Sequence, residues 1–249
     1  MRTTRIARER RHTLHFLDET RKIAPVFLDT EIDMTRVQRH RAAEGLSYVT
    51  YVLHSTARVL ARHPQANAAI RGRRIARYSS VDGKLALDKR LNGERIVLAA
   101  VLPGLDKADL AEIQEQVDHY RDGDPAQMPE FAGARALHRL PWPLGALAFR
   151  LVVRPLRTRA VRLGTFAVTS LGHRSVDGFY SVGGTTITIG VGRIVDRPVV
   201  RDGQIVVAPV MRLNLTFDHR VIDGAEAADV LTEIKETLES FDRAAVSVR

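Results

Sequence analysis

Between Met211 and Phe217 apolar and polar residues alternate, with Met211, Leu213, Leu215 and Phe217 set against Arg212, Asn214 and Thr216. A period of two predicts a half-buried strand. His219 shares the parity of the apolar set, so a strand that runs that far carries its ring toward the interior. Beyond it Ala227, Val230, Leu231, Ile234, Leu238 and Phe241 recur at helical spacing and predict an amphipathic helix. Between strand and helix, Asp223-Gly224-Ala225-Glu226 has the form of a capping box, with Asp223 as N-cap and Glu226 at the third helical position. An imidazole at such a join is well placed for proton transfer. The same residues also fit a plainer reading, in which His219 is a satisfied core histidine and Asp223 only a helix cap.

Upstream, residues 27–35 alternate like a strand, and residues 48–62 have helical periodicity that stops at His63-Pro64. Residues 74–79 and 85–88 are short strand candidates. Residues 94–102 read as a buried strand between Asn92-Gly93 and Pro103-Gly104. Residues 106–120 read as an acidic helix, which Asp122-Gly123-Asp124-Pro125 ends. Residues 137–159 mix apolar and basic side chains, punctuated by Pro141, Pro143 and Pro155. That stretch is too short and too charged to span a bilayer. It predicts one or two helices that pack Trp142, Leu147, Phe149 and Val153 on the core and turn Arg150, Arg154, Arg157 and Arg159 to solvent, as a cover or a docking surface.

Composition narrows the classes. The chain of 249 residues suits one layered domain, with 45% apolar residues marking it as globular. It has no cysteine, which rules out a disulfide, a thiolate metal site and a cysteine nucleophile and suits a reducing cytoplasm. No metal site, leader or membrane span is expected. The net charge of +9 is uneven: residues 131–176 hold no Asp or Glu but eight arginines, at 135, 139, 150, 154, 157, 159, 162 and 174. Such a run fits a solvated surface or an anionic partner: coenzyme A phosphates, an acidic carrier domain or a membrane surface. Nucleic acid fits less well, because no nucleic-acid-binding motif accompanies the arginines.

The string from Asp218 to Ala225 resembles the D-H-R-x-x-D-G-A motif of the 2-oxoacid dehydrogenase acyltransferases (E2 components), in the chloramphenicol acetyltransferase-like superfamily. Residues 163–172 (LGTFAVTSLG) look like the G-T-F strand of that family, and Val191-Gly192-Arg193-Ile194 and Arg197-Pro198-Val199-Val200 like its V-G-R-I and R-P-V-V segments. His63-Pro64-Gln65-Ala66-Asn67-Ala68 is similar to its H-P-x-x-N-A, and residues 25–37 to its early strand.

The resemblance implies an α+β two-layer sandwich: a mixed β-sheet covered by helices, with a basic arm over 1–24 and a catalytic domain over 25–249. It implies an acyltransferase working on an acyl thioester: coenzyme A or acyl-coenzyme A, or a lipoyl group or acidic carrier supplied by another protein. His219 would be the general base, Thr169 the donor to the oxyanion, and Asp223 the residue that holds the histidine's geometry, partly by pairing with Arg10 or Arg11. Ser170 and Asn67 stay unassigned. The family's sites lie between subunits, so a homotrimer or an assembly of trimers is implied. Three departures stand out. Residues 133–162 form an insertion, Ser181-Val182-Gly183-Gly184-Thr185-Thr186 stands where many members of that family carry Asn-Pro-Pro-Gln, and no lipoyl or subunit-binding domain is expected ahead of the core. Alternatives are a non-catalytic E2-like scaffold and a protein that docks on a carrier or membrane; Arg150, Arg154, Arg157 and Arg159 are the candidates for binding coenzyme A.

Overall fold

The alternating run that ends at Phe217 is the last part of a 15-residue strand, β8 (Gln204–Asp218). It belongs to a computed structural model that describes residue 1 and residues 3–241, so the expected domain limit at 249 lies outside the described residues. The other strands are β1 (Pro25–Asp33), β2 (Ala68–Arg71), β3 (Arg74–Arg77), β4 (Gly83–Leu91), β5 (Glu94–Leu102), β6 (Phe166–Ser170) and β7 (Ile187–Arg201). Six of them form one mixed sheet in the order β1-β8-β7-β6-β4-β5, and β2 pairs with β3 in a separate ribbon. Within the large sheet β6 runs parallel to β4 and β7, and the remaining pairs are antiparallel. The helices are α1 (Arg11–Thr20), α2 (Thr35–Glu44), α3 (Tyr48–Arg62), α4 (Leu110–Asp122), α5 (Ala132–Arg139), α6 (Trp142–Val153), α7 (Leu156–Leu163) and α8 (Gly224–Glu239).

One sheet face is apolar because alternate residues on neighbouring strands fall in register. Leu85, Val168, Ile189 and Leu215 lie side by side across four strands, all buried. They join one core with Tyr51 and Leu53 of α3 and Val230 and Ile234 of α8. Each such side chain, once buried, stabilises the fold by ~1.5–3 kcal/mol. The opposite face carries Lys84, Ala167, Thr188 and Thr216 in one row, three of them polar and all buried. Residues 171–186 cross this face. They have no ladder of their own, so side chains supply the partners: the Phe179 N–H donates to Asn214 Oδ1 and the Gly183 N–H to Thr188 Oγ1, each at 3.0 Å.

Where the chain enters β6, Gly164 adopts φ +71°, and a Cβ there would lie 2.9 Å from the Asp82 carbonyl oxygen. Close approach to β4 therefore requires glycine.

Several sequence expectations change. The strand over residues 94–102 is an edge strand that alternates exposed and buried residues, so it is half-buried only. The acidic helix begins at Leu110, because Asp109 and Glu112 form a reciprocal capping box that fixes its start. α3 ends before Pro64, as the sequence predicts. The basic insertion makes three helices, α5 to α7, rather than one or two.

Candidate active site

β8 ends one residue short of the histidine. His219 therefore does not continue the pleat into the core: it stands on a turn, with its side chain 45% exposed. The turn is held from several sides. The His219 N–H donates to the Ala24 carbonyl at 2.9 Å, and the Val221 N–H closes onto the Asp218 carbonyl at 2.9 Å. The Asp218 carboxylate, 5% exposed, accepts from the Arg220 backbone N–H and from its Nε and Nη2. Asp218 and Arg220 stand inside the same motif as His219, and their clamping role went unread because a sequence pattern does not show which face an end residue takes.

Asp223 occupies the N-cap position of α8 but makes no side-chain cap hydrogen bond, which corrects the capping-box expectation. Its carboxylate is 90% exposed and lies 3.5 Å from His219 Nδ1, longer than a good hydrogen bond. Glu226, the other half of the expected box, instead accepts from His63 Nδ1 at 2.8 Å, while Glu233 accepts from His63 Nε2 at 2.8 Å. Burial opposes charging His63, yet these two carboxylates raise its pKa above the ordinary value. His63 thus ties the loop after α3 to α8. Asn67 in the same motif donates to the carbonyls of Tyr78 and Ser80, a structural duty.

Arg11 does not reach Asp223. Its Nη1 donates to the carbonyls of His138 and Leu140, and no ion pair among the described residues joins Arg10 or Arg11 to Asp223.

Thr169 lies on β6 on the polar sheet face, half-buried, in register with Gly190 and through it with Asn214. His219 lies five residues beyond Asn214, on the turn just past the end of β8. At about 3.3 Å per residue and two strand spacings of about 4.8 Å, the two backbones stand roughly 19 Å apart. One chain does not bring His219 and Thr169 together.

The basic insertion is only partly as expected. Val153 is buried and Phe149 half-buried, but Trp142 is 44% and Leu147 54% exposed. Gly145 lets α1 approach, so that Trp142 rests its ring 4.4 Å from that of His15 instead of entering the core. The four arginines do not all face solvent. Arg154 forms a two-pronged pair with Glu19 at 2.8 and 2.9 Å, and the half-buried Arg159 donates from its guanidinium to the carbonyls of Val153 and Gly184. Arg150 and Arg157 keep exposed heads, with Arg150 4.0 Å from Glu19.

Lys84 has no motif to announce it. Its buried amine donates to the Gly183 carbonyl and sits 4.5 Å from the Phe16 ring centre. Burial, with Arg159 adding repulsion, pulls its pKa down to about 7. Lys84 and Arg159 hold two successive carbonyls, of Gly183 and Gly184, in the segment that leads into β7. A separate cleft opens beside Val210, well along β8 from His219; in its lining Arg201 pairs with Asp33 and Lys235 with Glu239, while Arg36 and Arg39 enter no ion pair among the described residues.

Sheet order, covering helices and a histidine just past β8 define a chloramphenicol acetyltransferase-like fold. A solved chloramphenicol acetyltransferase matches with a TM-score of 0.56 at 15% identity, covering 94% of this chain and 96% of its own. A probable dihydrolipoamide acetyltransferase from Listeria monocytogenes matches with a TM-score of 0.73 at 21% identity, covering 100% and 98%. Residues 146–246 match the family model described as 2-oxoacid dehydrogenases acyltransferase (catalytic domain). The dihydrolipoyllysine-residue succinyltransferase component of the 2-oxoglutarate dehydrogenase complex of Haemophilus influenzae is 27% identical over 234 residues, 86% of this chain and 47% of that relative. Over residues 146–246 the chain is thus similar to the 2-oxoacid dehydrogenase acyltransferase catalytic domains, and it spans about half the length of this relative.

Proposed function

We propose that the chain is an acyltransferase that moves an acyl group between a thioester and an acceptor thiol, with coenzyme A, lipoyl or carrier-bound thioesters as the substrate class. The observation that carries this reading is the His219 turn. Its backbone is fixed, its ring is open to solvent, and neither ring nitrogen is engaged in a hydrogen bond with another described residue. A core histidine would be buried and satisfied instead.

An attacking thiol, with an ordinary pKa near ~8.5, passes its proton to a neutral imidazole whose ordinary pKa is near ~6.5. The sulfur attacks the thioester carbonyl carbon and the carbonyl electrons move to oxygen. The oxyanion then needs a donor, and the Thr169 hydroxyl makes no side-chain hydrogen bond with another described residue that would compete for it. When the intermediate collapses, the departing thiolate takes the proton back from the imidazolium. Asp223, 3.5 Å from Nδ1, favours the tautomer that leaves Nε2 as the accepting nitrogen.

Because Thr169 is too far away in the same chain, the Thr169 that serves a given His219 belongs to a neighbouring copy, in a homotrimer or an assembly of trimers. The exposed Phe27–Tyr180 pair, with rings 5.3 Å apart on the Thr169 side of the sheet, leaves apolar surface for such a neighbour. Arg150 and Arg157 remain as candidates to meet coenzyme A phosphates; Arg154 and Arg159 are committed internally. A lipoyl group would come from another protein.

The test is a screen of acyl-coenzyme A donors against thiol and amine acceptors, read by thiol release, with His219→Ala as control. The reading expects transfer by the native protein and its loss, by ~10²–10⁴-fold, in the folded variant. Equal rates in the two proteins would remove His219 from the mechanism.

A further inference from the structure

α6 turns an apolar stripe outward. Leu144, Leu147 and Leu151, spaced by three and four residues, are 55%, 54% and 67% exposed, and the adjoining Val152 is 48% exposed. The inner side of the helix carries Gly145, Phe149 and Val153 against the rest of the protein. A globular helix normally shows water its polar side. Here both sides are apolar, so the outer one is unexplained by the fold.

Charge around the stripe identifies what would cover it. No acidic residue occurs over 131–176. Arg139 at the end of α5 and Arg162 in α7 are exposed, and neither enters an ion pair among the described residues. α7 adds Val161, 69% exposed. Leucines at helical spacing among unpaired arginines match the interfacial region of an anionic bilayer, where the chains take the leucines and lipid phosphates meet the guanidinium groups. Glu19 of α1 is engaged by Arg154 and Arg150, so a second copy meeting the first through this same face would bring the unpaired Arg139 and Arg162 of both together. No helix among the described residues is long and apolar enough to cross a membrane, so the contact would lie in the plane of the surface.

We propose that α6, with the arginines that flank it on α5 and α7, is a docking face for an anionic phospholipid surface, independent of the chemistry at His219. Such a contact would hold the acyltransferase core beside a membrane without inserting a span.

The experiment is sedimentation of the purified full chain with phosphatidylcholine vesicles, with and without phosphatidylglycerol. Binding is expected only with phosphatidylglycerol and is expected to weaken as salt screens the charges. The L144E/L147E/L151E variant should lose roughly tenfold or more of that binding while keeping its circular dichroism and its acyl transfer rate. The R139Q/R162Q variant should lose about fivefold per arginine. Three results would overturn the proposal. One is a native protein that ignores anionic vesicles. Another is undiminished binding by the leucine variant, which would make the contact purely electrostatic, as for an acidic protein. The third is a changed oligomeric mass of that variant, which would make the face an interface between copies.

Discussion

Two inactive variants should restore one another. Thr169 lies level with Asn214, and His219 is five residues farther on, just past the end of β8 and two strands away. The resulting separation of roughly 19 Å far exceeds the ~3 Å at which base and oxyanion donor must each meet the reacting atoms. If the working site pairs His219 of one copy with Thr169 of the next, His219→Ala chains still offer Thr169 and Thr169→Ala chains still offer His219. In a ring of randomly mixed copies, each site draws its histidine and its threonine independently. About one quarter of the sites then contain both groups. Equal amounts of the two variants, unfolded together and refolded, should therefore regain about a quarter of native acyl transfer, measured by thiol release. Each variant refolded alone should stay ~10²-fold or more below native. A mixture no more active than the average of its parts would refute a shared site and require a rearrangement within one chain.

Three further outcomes follow from the same structure. Thr169→Ala should lower the maximal rate by roughly two orders of magnitude while Thr169→Ser keeps much of it, and equal losses in steady-state assays would point instead to packing of the threonine methyl. Lys84, pulled down to about 7, is neutral in the folded state where the unfolded lysine is still charged, so stability should rise with pH above 7 by up to ~1.4 kcal/mol per pH unit. Urea midpoints at pH 7 and 9 should show this rise in the native protein and lose it in Lys84→Met; parallel shifts would exclude a buried, depressed amine. His63 has a raised pKa between Glu226 and Glu233, so its stabilising contribution is full below the unfolded value and fades as pH climbs through the higher folded one. His63→Gln should flatten thermal stability across that window, and an unaltered pH profile of the melting temperature would show that the bridge contributes nothing.

The periodicities of the chain determined much of the fold, because they report on near neighbours. The two-residue alternation over 211–217 marked β8, and the spacing from Ala227 to Leu238 marked α8, because strand and helix geometry fix which side chains share a face. Pro64 similarly ended α3. The motif around His219 indicated where chemistry would be sought. The direction of that chemistry was settled only by tertiary contacts. His219 turns to solvent because Asp218 engages Arg220 two residues on, and because Ala24, nearly two hundred positions away, holds the His219 N–H through its carbonyl and donates its own N–H to Asp218. Glu226 left its expected cap because His63, brought alongside by the packing of α3 on α8, offers it a charge-assisted hydrogen bond. Arg154 and Arg159 turned inward for the same kind of reason: Glu19 and the Gly184 carbonyl come within reach only after α1, α6 and α7 assemble. A local pattern specifies which face a residue occupies within its own element. Which partner that face meets depends on long-range packing, and it is packing that decided which charges are bound and which remain exposed.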